Sequence, residues 1–182
     1  MNALRYIALL TLFACVSLLA VKPAHAAFPG LNGRIAWERE VLIPADAPTP
    51  RGNPLRPGDE LWTMNPDGSG QVSIASESGF DFERPAWTAD GKRLAVRKED
   101  SHEIPEISQI WTLSGDGSGE VNISNNSSFD TNPAWSPDGT RVVFVRTDDT
   151  TGLDSLWMMD ANGSNQHQFI TPPDGTEDDN PA

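Results

Sequence analysis

The sequence predicts an all-β fold, a partial β-propeller of about three four-stranded blades with a period near 48 residues. Three observations predict it. Pro133-Ala134-Trp135-Ser136-Pro137-Asp138-Gly139, followed by the apolar run to Val145, repeats Pro85-Ala86-Trp87-Thr88-Ala89-Asp90-Gly91 and the run to Val96, one period earlier. Pro181-Ala182 gives the first two letters again, one period later. A second motif alternates with the first: Asp67-Gly68-Ser69-Gly70, Asp116-Gly117-Ser118-Gly119 and Asn162-Gly163-Ser164. Finally, Gly, Pro, Asp, Asn and Ser punctuate the chain about every ten residues, and no window sustains a helical period. Helix-pair repeats of similar period are thereby set aside.

Each element follows from that pattern. The first unit begins at Asn32-Gly33, with strands expected over Arg34–Arg39, Glu60–Met64 and Gln71–Ile74 and a Pro-rich insert from Val41 to Pro57. The second has strands near Arg84–Thr88, Lys92–Lys98, Gln109–Leu113 and Glu120–Ile123, and the third near Asn132–Ser136, Thr140–Arg146, Ser155–Met159 and Gln166–Ile170. These give blades near 32–83, 84–131 and 132–180. The Asp-Gly pairs join inner strands and the Gly-Ser turns join outer ones, because tight hairpin turns use a positive φ that glycine adopts cheaply. A single blade cannot bury its own faces, so blades must stack. Trp87 and Trp135 end first strands, and Trp62, Trp111 and Trp157 sit in third strands. All five are expected to fill the space between blades rather than to form a ligand platform.

The N-terminus reads as export machinery. A basic start through Arg5, an apolar run from Tyr6 to Val21 and the small-x-small triplet Ala24-His25-Ala26 form a secretory signal peptide over 1–26, cleaved after Ala26. An uncleaved anchor, and a lipoprotein built on Cys15, are weaker readings of the same stretch. The apolar run is short for a membrane span, so no membrane insertion is expected after cleavage. Removing Arg5 and Lys22 takes the net charge from −13 to −15. That excess excludes nucleic acid and an anionic membrane surface as partners. Cys15, the single cysteine, leaves with the signal, so neither disulfides nor thiol chemistry are available.

Trp135-Ser136-Pro137-Asp138-Gly139, then a strand, then Leu156-Trp157-Met158-Met159-Asp160 before Asn162-Gly163-Ser164, resembles the WD-repeat-like blade of TolB-like β-propellers. Trp87 to Gly91 carries Thr-Ala where that pattern has Ser-Pro, and Leu61 to Gly70 matches the second half. The resemblance covers nearly all of 32–182. It implies a periplasmic location, an envelope complex and protein partners. That family also has an α/β domain ahead of its propeller, whereas here the repeats start a few residues after the expected cleavage site. The blade is similar as well to the propeller that caps some prolyl oligopeptidase-type peptidases, but no Gly-x-Ser-x-Gly occurs.

Closed propellers have about four to eight blades. Three are legible here, and the first lacks its Trp-Ser-Pro-Asp-Gly strand. Two readings follow: a truncated product or fragment, which is preferred, or self-association in which two copies of three blades complete one ring.

The long connections collect acidic residues. Asp81, Glu83, Asp130, Glu177, Asp178 and Asp179 each precede a repeat proline and are expected to ring one end of the blades as an acidic rim. Loops on a rigid scaffold are where binding sites form. Such a rim suits a basic partner or a divalent cation, and equally reads as a solvated surface that keeps an exported protein soluble. Asp67-Gly-Ser-Gly and Asp116-Gly-Ser-Gly resemble a Ca²⁺ loop superficially, but the alternating ligands and the closing Glu are missing, so they are read as turns. His25, His102 and His167 have no metal-site spacing. Catalytic, cofactor and metal residues are therefore all expected to be none. The function read from the sequence is a non-catalytic periplasmic or secreted scaffold. It would bind a protein or carbohydrate partner through its long-loop face. The alternatives are a propeller hydrolase or lyase fragment, and a truncated gene product without independent function.

Overall fold

The structure is a computed structural model, and it describes residues 33–41, 58–100, 107–170 and 181. Every regular element among them is a strand. The first sheet is formed by β1 (Ile35–Arg39), β2 (Glu60–Met64) and β3 (Val72–Ala75). The second holds β4 (Phe80–Trp87), β5 (Arg93–Asp100), β6 (Ile107–Ser114) and β7 (Val121–Asn122). The third holds β8 (Phe129–Trp135), β9 (Arg141–Thr147), β10 (Asp154–Asp160) and β11 (His167–Gln168). Within each sheet the strands pair antiparallel in chain order, so each sheet is a meander and the three stack as blades. By register, β1 corresponds to β5 and β9: Arg39 faces Glu60 as Lys98 faces Gln109 and Arg146 faces Ser155. The first-strand position beside β1 is empty among the described residues. The signal peptide, the Pro-rich insert apart from Val41, and His102 lie outside the described residues.

Two boundaries differ from expectation. The strands expected to start at Arg84 and Asn132 begin earlier, β4 at Phe80 and β8 at Phe129. A register shift splits both strands, between Glu83 and Ala86 and between Thr131 and Ala134. At each shift a residue with positive φ (Arg84 at 52°, Asn132 at 49°) precedes the proline. Proline cannot donate to the ladder and is tolerated at a bulge. The bulge lengthens the strand past the point where the sequence stops looking strand-like, and turns Trp87 and Trp135 toward the preceding blade.

The outer hairpins repeat one turn. In β2–β3, Gly68 N–H donates to Asn65 O at 2.9 Å and Ser69 N–H to Asp67 Oδ1 at 3.0 Å. Gly117 with Asp116, and Gly163 with Asn162, make the same pair of bonds. Glycine has a second reason in the later two. A Cβ on Gly117 would lie 1.9 Å from Ile74 O, and one on Gly163 2.1 Å from Ile123 O, each on the preceding blade. Gly68 has the same positive φ and nothing within 4 Å.

Burial follows the period-2 pattern. Along β5, Leu94 and Val96 point to one side and Ala95 to the other. The first set joins Leu61, Phe82 and Leu113 between the first and second sheets, with Trp87 and Trp111 packed on them. The second joins Ile110, Ile123, Trp135, Val142, Phe144 and Met159 between the second and third, with Trp157 against them. Four of the five repeat tryptophans thus fill inter-blade space. Trp62 does not: with Trp37 it lies on the outer face of the first sheet, the ring centroids 6.1 Å apart.

Candidate functional site

The acidic residues expected to form a rim behave differently from one another. Asp130 is fully buried in β8. Its Oδ1 accepts from Arg146 Nε at 2.7 Å, and its Oδ2 from Arg146 at 2.9 Å and from Asn126 Nδ2 at 2.8 Å. Asp81 is 9% exposed, and its Oδ1 accepts the Asp59 N–H at 2.8 Å. Glu83 is ion-paired with Arg97, which also contacts Glu99. A carboxylate that has surrendered its lone pairs inside the fold is not a docking group for an incoming charge. Asp81, Glu83 and Asp130 are thus strand residues rather than loop residues: Asp81 bonds across to the first sheet, whereas Glu83 and Asp130 pair with the neighbouring strand of their own sheet. Glu177, Asp178 and Asp179 lie outside the described residues.

Sequence reasoning missed the buried cations of the strands. Lys98, 6% exposed, is held by Glu77 at 2.6 Å and Glu120 at 2.7 Å, inside a cage of Phe80, Phe82 and Trp111 with ring centroids 4.6 to 4.9 Å away. Arg146, one repeat on, stacks 4.4 Å over Trp157 and 5.1 Å over Phe144. Arg39 of β1 lies 3.7 Å over Trp62 and 5.6 Å over Trp37. In every blade a cation at the end of the second strand caps the tryptophan of the third strand. Each such desolvated contact is worth about 1–2 kcal/mol. The signal was available, since Lys98 and Arg146 stand one full period apart. A cation in an alternating strand looks like solvent-facing decoration until its partners are placed.

The open concavity sits at the long-loop end of the third blade, in and beside the β9–β10 hairpin, with a volume of about 460 Å³. Arg146, Asp148, Asp149, Asp154, Trp157 and Gln168 are among its lining residues. Asp148 is an internal anchor of the hairpin. It accepts from Thr150 N–H at 3.0 Å, Thr151 N–H at 2.7 Å and Thr151 Oγ1 at 2.9 Å, and these bonds hold its carboxyl below the usual range. Asp154 accepts from Thr147 Oγ1 at 2.6 Å. Asp149 is exposed. The hollow therefore presents carboxylates at its mouth and an Arg-capped indole in its wall. The connection between β9 and β10 supplies most of it, although no residue of that connection stood out in the sequence.

A second hollow of about 370 Å³ lies at the opposite end, between the Asp-Gly turns of the second and third blades. Arg93 spans it, donating to Gly139 O at 3.0 Å and stacking 4.7 Å over Trp135. His167 is exposed, with Nδ1 2.7 Å from Asn165 O. Among the described residues, no group of three or more His, Cys, Asp or Glu is placed to hold a metal ion. In the Asp67 and Asp116 turns, Oδ1 of each accepts from the N–H and hydroxyl of the serine two residues on. Those turns are closed by their own hydrogen bonds.

Stacked four-stranded antiparallel meanders with inter-blade tryptophans define a β-propeller repeat protein. Known proteins make the likeness more specific. No family model matches the chain. Over 45 residues, 25% of this chain, it is 38% identical to the Tol-Pal system protein TolB 1 of Novosphingobium aromaticivorans. Over a stretch of the same length it is 40% identical to the Tol-Pal system protein TolB of Zymomonas mobilis. The matched stretch spans a tenth of each relative's length. A TolB crystal structure from Acinetobacter baumannii superposes with a TM-score of 0.56 at 22% identity, covering 76% of this chain and 30% of that one. A TolB structure from Agrobacterium tumefaciens gives 0.53 at 23% identity, covering 62% and 41%. In fold, the chain is a TolB-like β-propeller.

Proposed function

We propose that the protein is an exported, periplasmic β-propeller scaffold, non-catalytic, that binds a protein partner in a role related to the Tol-Pal system. The observation that carries this reading is the local identity to two Tol-Pal system TolB proteins, 38% and 40% over 45 residues. The signal-like N-terminus and the mature charge of −15 agree with export and with a basic partner surface. The binding surface we assign is the β9–β10 hairpin with Asp149 and Asp154, shaped by the Asp148 anchor, rather than the whole acidic rim read from the sequence. Glu177, Asp178 and Asp179 remain candidates on the same chain.

The experiment is a binding and turnover assay on the mature protein. Immobilised protein is presented with basic peptides, with soluble periplasmic proteins one at a time, and with a glycan panel, with and without Ca²⁺. Wild type is expected to bind a protein ligand, and Asp149→Asn with Asp154→Asn to weaken that binding at least tenfold while the fold survives. Glycan binding lost in the same variant assigns a carbohydrate partner instead. Turnover of a glycan or peptide, abolished by the same substitutions, overturns the non-catalytic reading.

A further inference from the structure

The hollow at the β9–β10 hairpin has a donor left over in its wall. An arginine carries five N–H donors in a fixed fork. Arg146 Nε donates to Asp130 Oδ1 at 2.7 Å, and Nη2 donates to Asp130 Oδ2 and to Gln166 Oε1, each at 2.9 Å. Nη1 makes no hydrogen bond among the described residues, and it is not buried. Arg146 lines the hollow, so the two Nη1 N–H groups open into it. The guanidinium itself is fixed: its side chain is 13% exposed, paired with Asp130 and stacked 4.4 Å over Trp157. Its free edge is therefore a pre-set pair of donors, not a mobile surface charge. Trp157 offers no second donor, because its Nε1–H goes to Ser155 Oγ at 3.1 Å.

The equivalent cation of the second blade has no such edge. An ammonium has three N–H donors. Lys98 gives two of them to Glu77 and Glu120 inside its aromatic cage, at 6% exposure. The position after the outer turn that holds Glu120 in the second blade holds Gln166 in the third. The edge also lies on the inner side of the stack. Arg146, Phe144 and Val142 alternate onto one face of β9. Phe144 and Val142 belong to the core shared with the second sheet. A further blade on the third sheet would pack against the opposite face.

The surroundings select the acceptor that fits this edge. Asp130 already neutralises the guanidinium, and Asp149 and Asp154 line the same hollow, so an anion is repelled. A sugar ring would need the face of Trp157, and Arg146 lies over it. A neutral carbonyl needs neither an excess of positive charge nor an open indole. A cation carried by the same ligand falls to Asp149 and Asp154. We propose that the hollow takes an extended basic peptide, with a main-chain carbonyl on Arg146 Nη1 and a lysine or arginine side chain on Asp149 and Asp154. The inference rests on the partner-binding reading of this surface and gives that partner its chemistry. Arg146 reads the peptide backbone, and the carboxylates read the side chain. A regular row of carbonyls separates a polypeptide from a simple polyamine, so Arg146 is the specificity-determining residue of the surface.

Two probes of equal charge test this on the mature protein, by titration calorimetry at fixed ionic strength. One is N-acetyl-tetralysine amide, which has main-chain carbonyls; the other is spermine, which has none. The peptide is expected to bind about tenfold tighter than spermine. Arg146→Lys keeps a charge on Asp130 but loses the fork. It should remove that margin and leave spermine binding unchanged. Asp149→Asn with Asp154→Asn should weaken both probes. Urea denaturation checks that each variant folds, and the margin between the two probes on wild type decides if Arg146→Lys does not. Equal binding of the two probes, or a margin that survives Arg146→Lys, overturns the inference. The surface assignment stands in that case if the carboxylate variant still weakens both. A neutral oligosaccharide whose binding depends on Arg146 overturns the peptide reading as well. Neither probe binding, or binding indifferent to Asp149 and Asp154, overturns the surface assignment and the inference together.

Discussion

Single residues show how much of the charge is structural. The Asp138 carboxyl is lowered to about 2 by hydrogen bonds from Ser136 Oγ at 2.6 Å, Thr140 Oγ1 at 2.8 Å and Thr140 N–H at 3.0 Å. Asp67, Asp90 and Asp116 are lowered by the same kind of turn bonding. A folded-state value below the unfolded one means stability present above the unfolded value and lost as pH falls through the folded one. The Asp138 turn should therefore loosen as pH falls from about 4 to about 2, and the Asp67, Asp90 and Asp116 turns as pH falls below the ordinary aspartate range. Ser136→Ala with Thr140→Ala should move Asp138 back toward the ordinary aspartate range, read by carboxyl NMR titration. Asp130 makes a sharper case. Asp130→Ala leaves Arg146, 13% exposed, without its bidentate partner. Breaking a buried pair costs about 3–5 kcal/mol. The urea midpoint should fall accordingly, whereas Asp149→Ala on the exposed hairpin should change stability by less than about 0.5 kcal/mol.

At the scale of elements, the repeated hairpins allow a controlled comparison. Gly68, Gly117 and Gly163 share one turn and one sign of φ. Gly68→Ala meets nothing within 4 Å and should cost only the left-handed backbone penalty, about 1–2 kcal/mol. Gly117→Ala and Gly163→Ala place a methyl group inside a neighbouring carbonyl and should cost clearly more, because the blades must part. Chemical denaturation of the three variants side by side measures the difference. The bulged strands β4 and β8 explain why the first strands were legible only in part. Pro85 and Pro133 interrupt the alternation, and sequence alone reads the residues before a proline as a link. Backbone pairing continues to Phe80 and Phe129 because the bulge absorbs the missing donor.

Across the whole molecule, the repeat set the architecture in advance: the period, the paired turns and the inter-blade tryptophans all follow from local chemistry. Turn residues need particular φ values, and flat rings at fixed spacing need a neighbouring face to bury them. Those constraints act within a few residues, so they are written plainly in the chain. The acidic residues were legible as a set but not by role. Whether a carboxylate faces solvent or a buried guanidinium depends on which strand its backbone joins and which blade packs behind it. Only the stacked sheets decided that Asp130 and Asp81 belong to the frame, and that the open hollow lies at Asp148, Asp149 and Asp154. They also showed that, among the described residues, Arg39 has no carboxylate and the buried Trp87 Nε1 no acceptor, where Arg146 and Trp135 have both. Short-range propensity fixed the blades; desolvation and pairing across blades, which join residues a full period apart in sequence, fixed what each charge does.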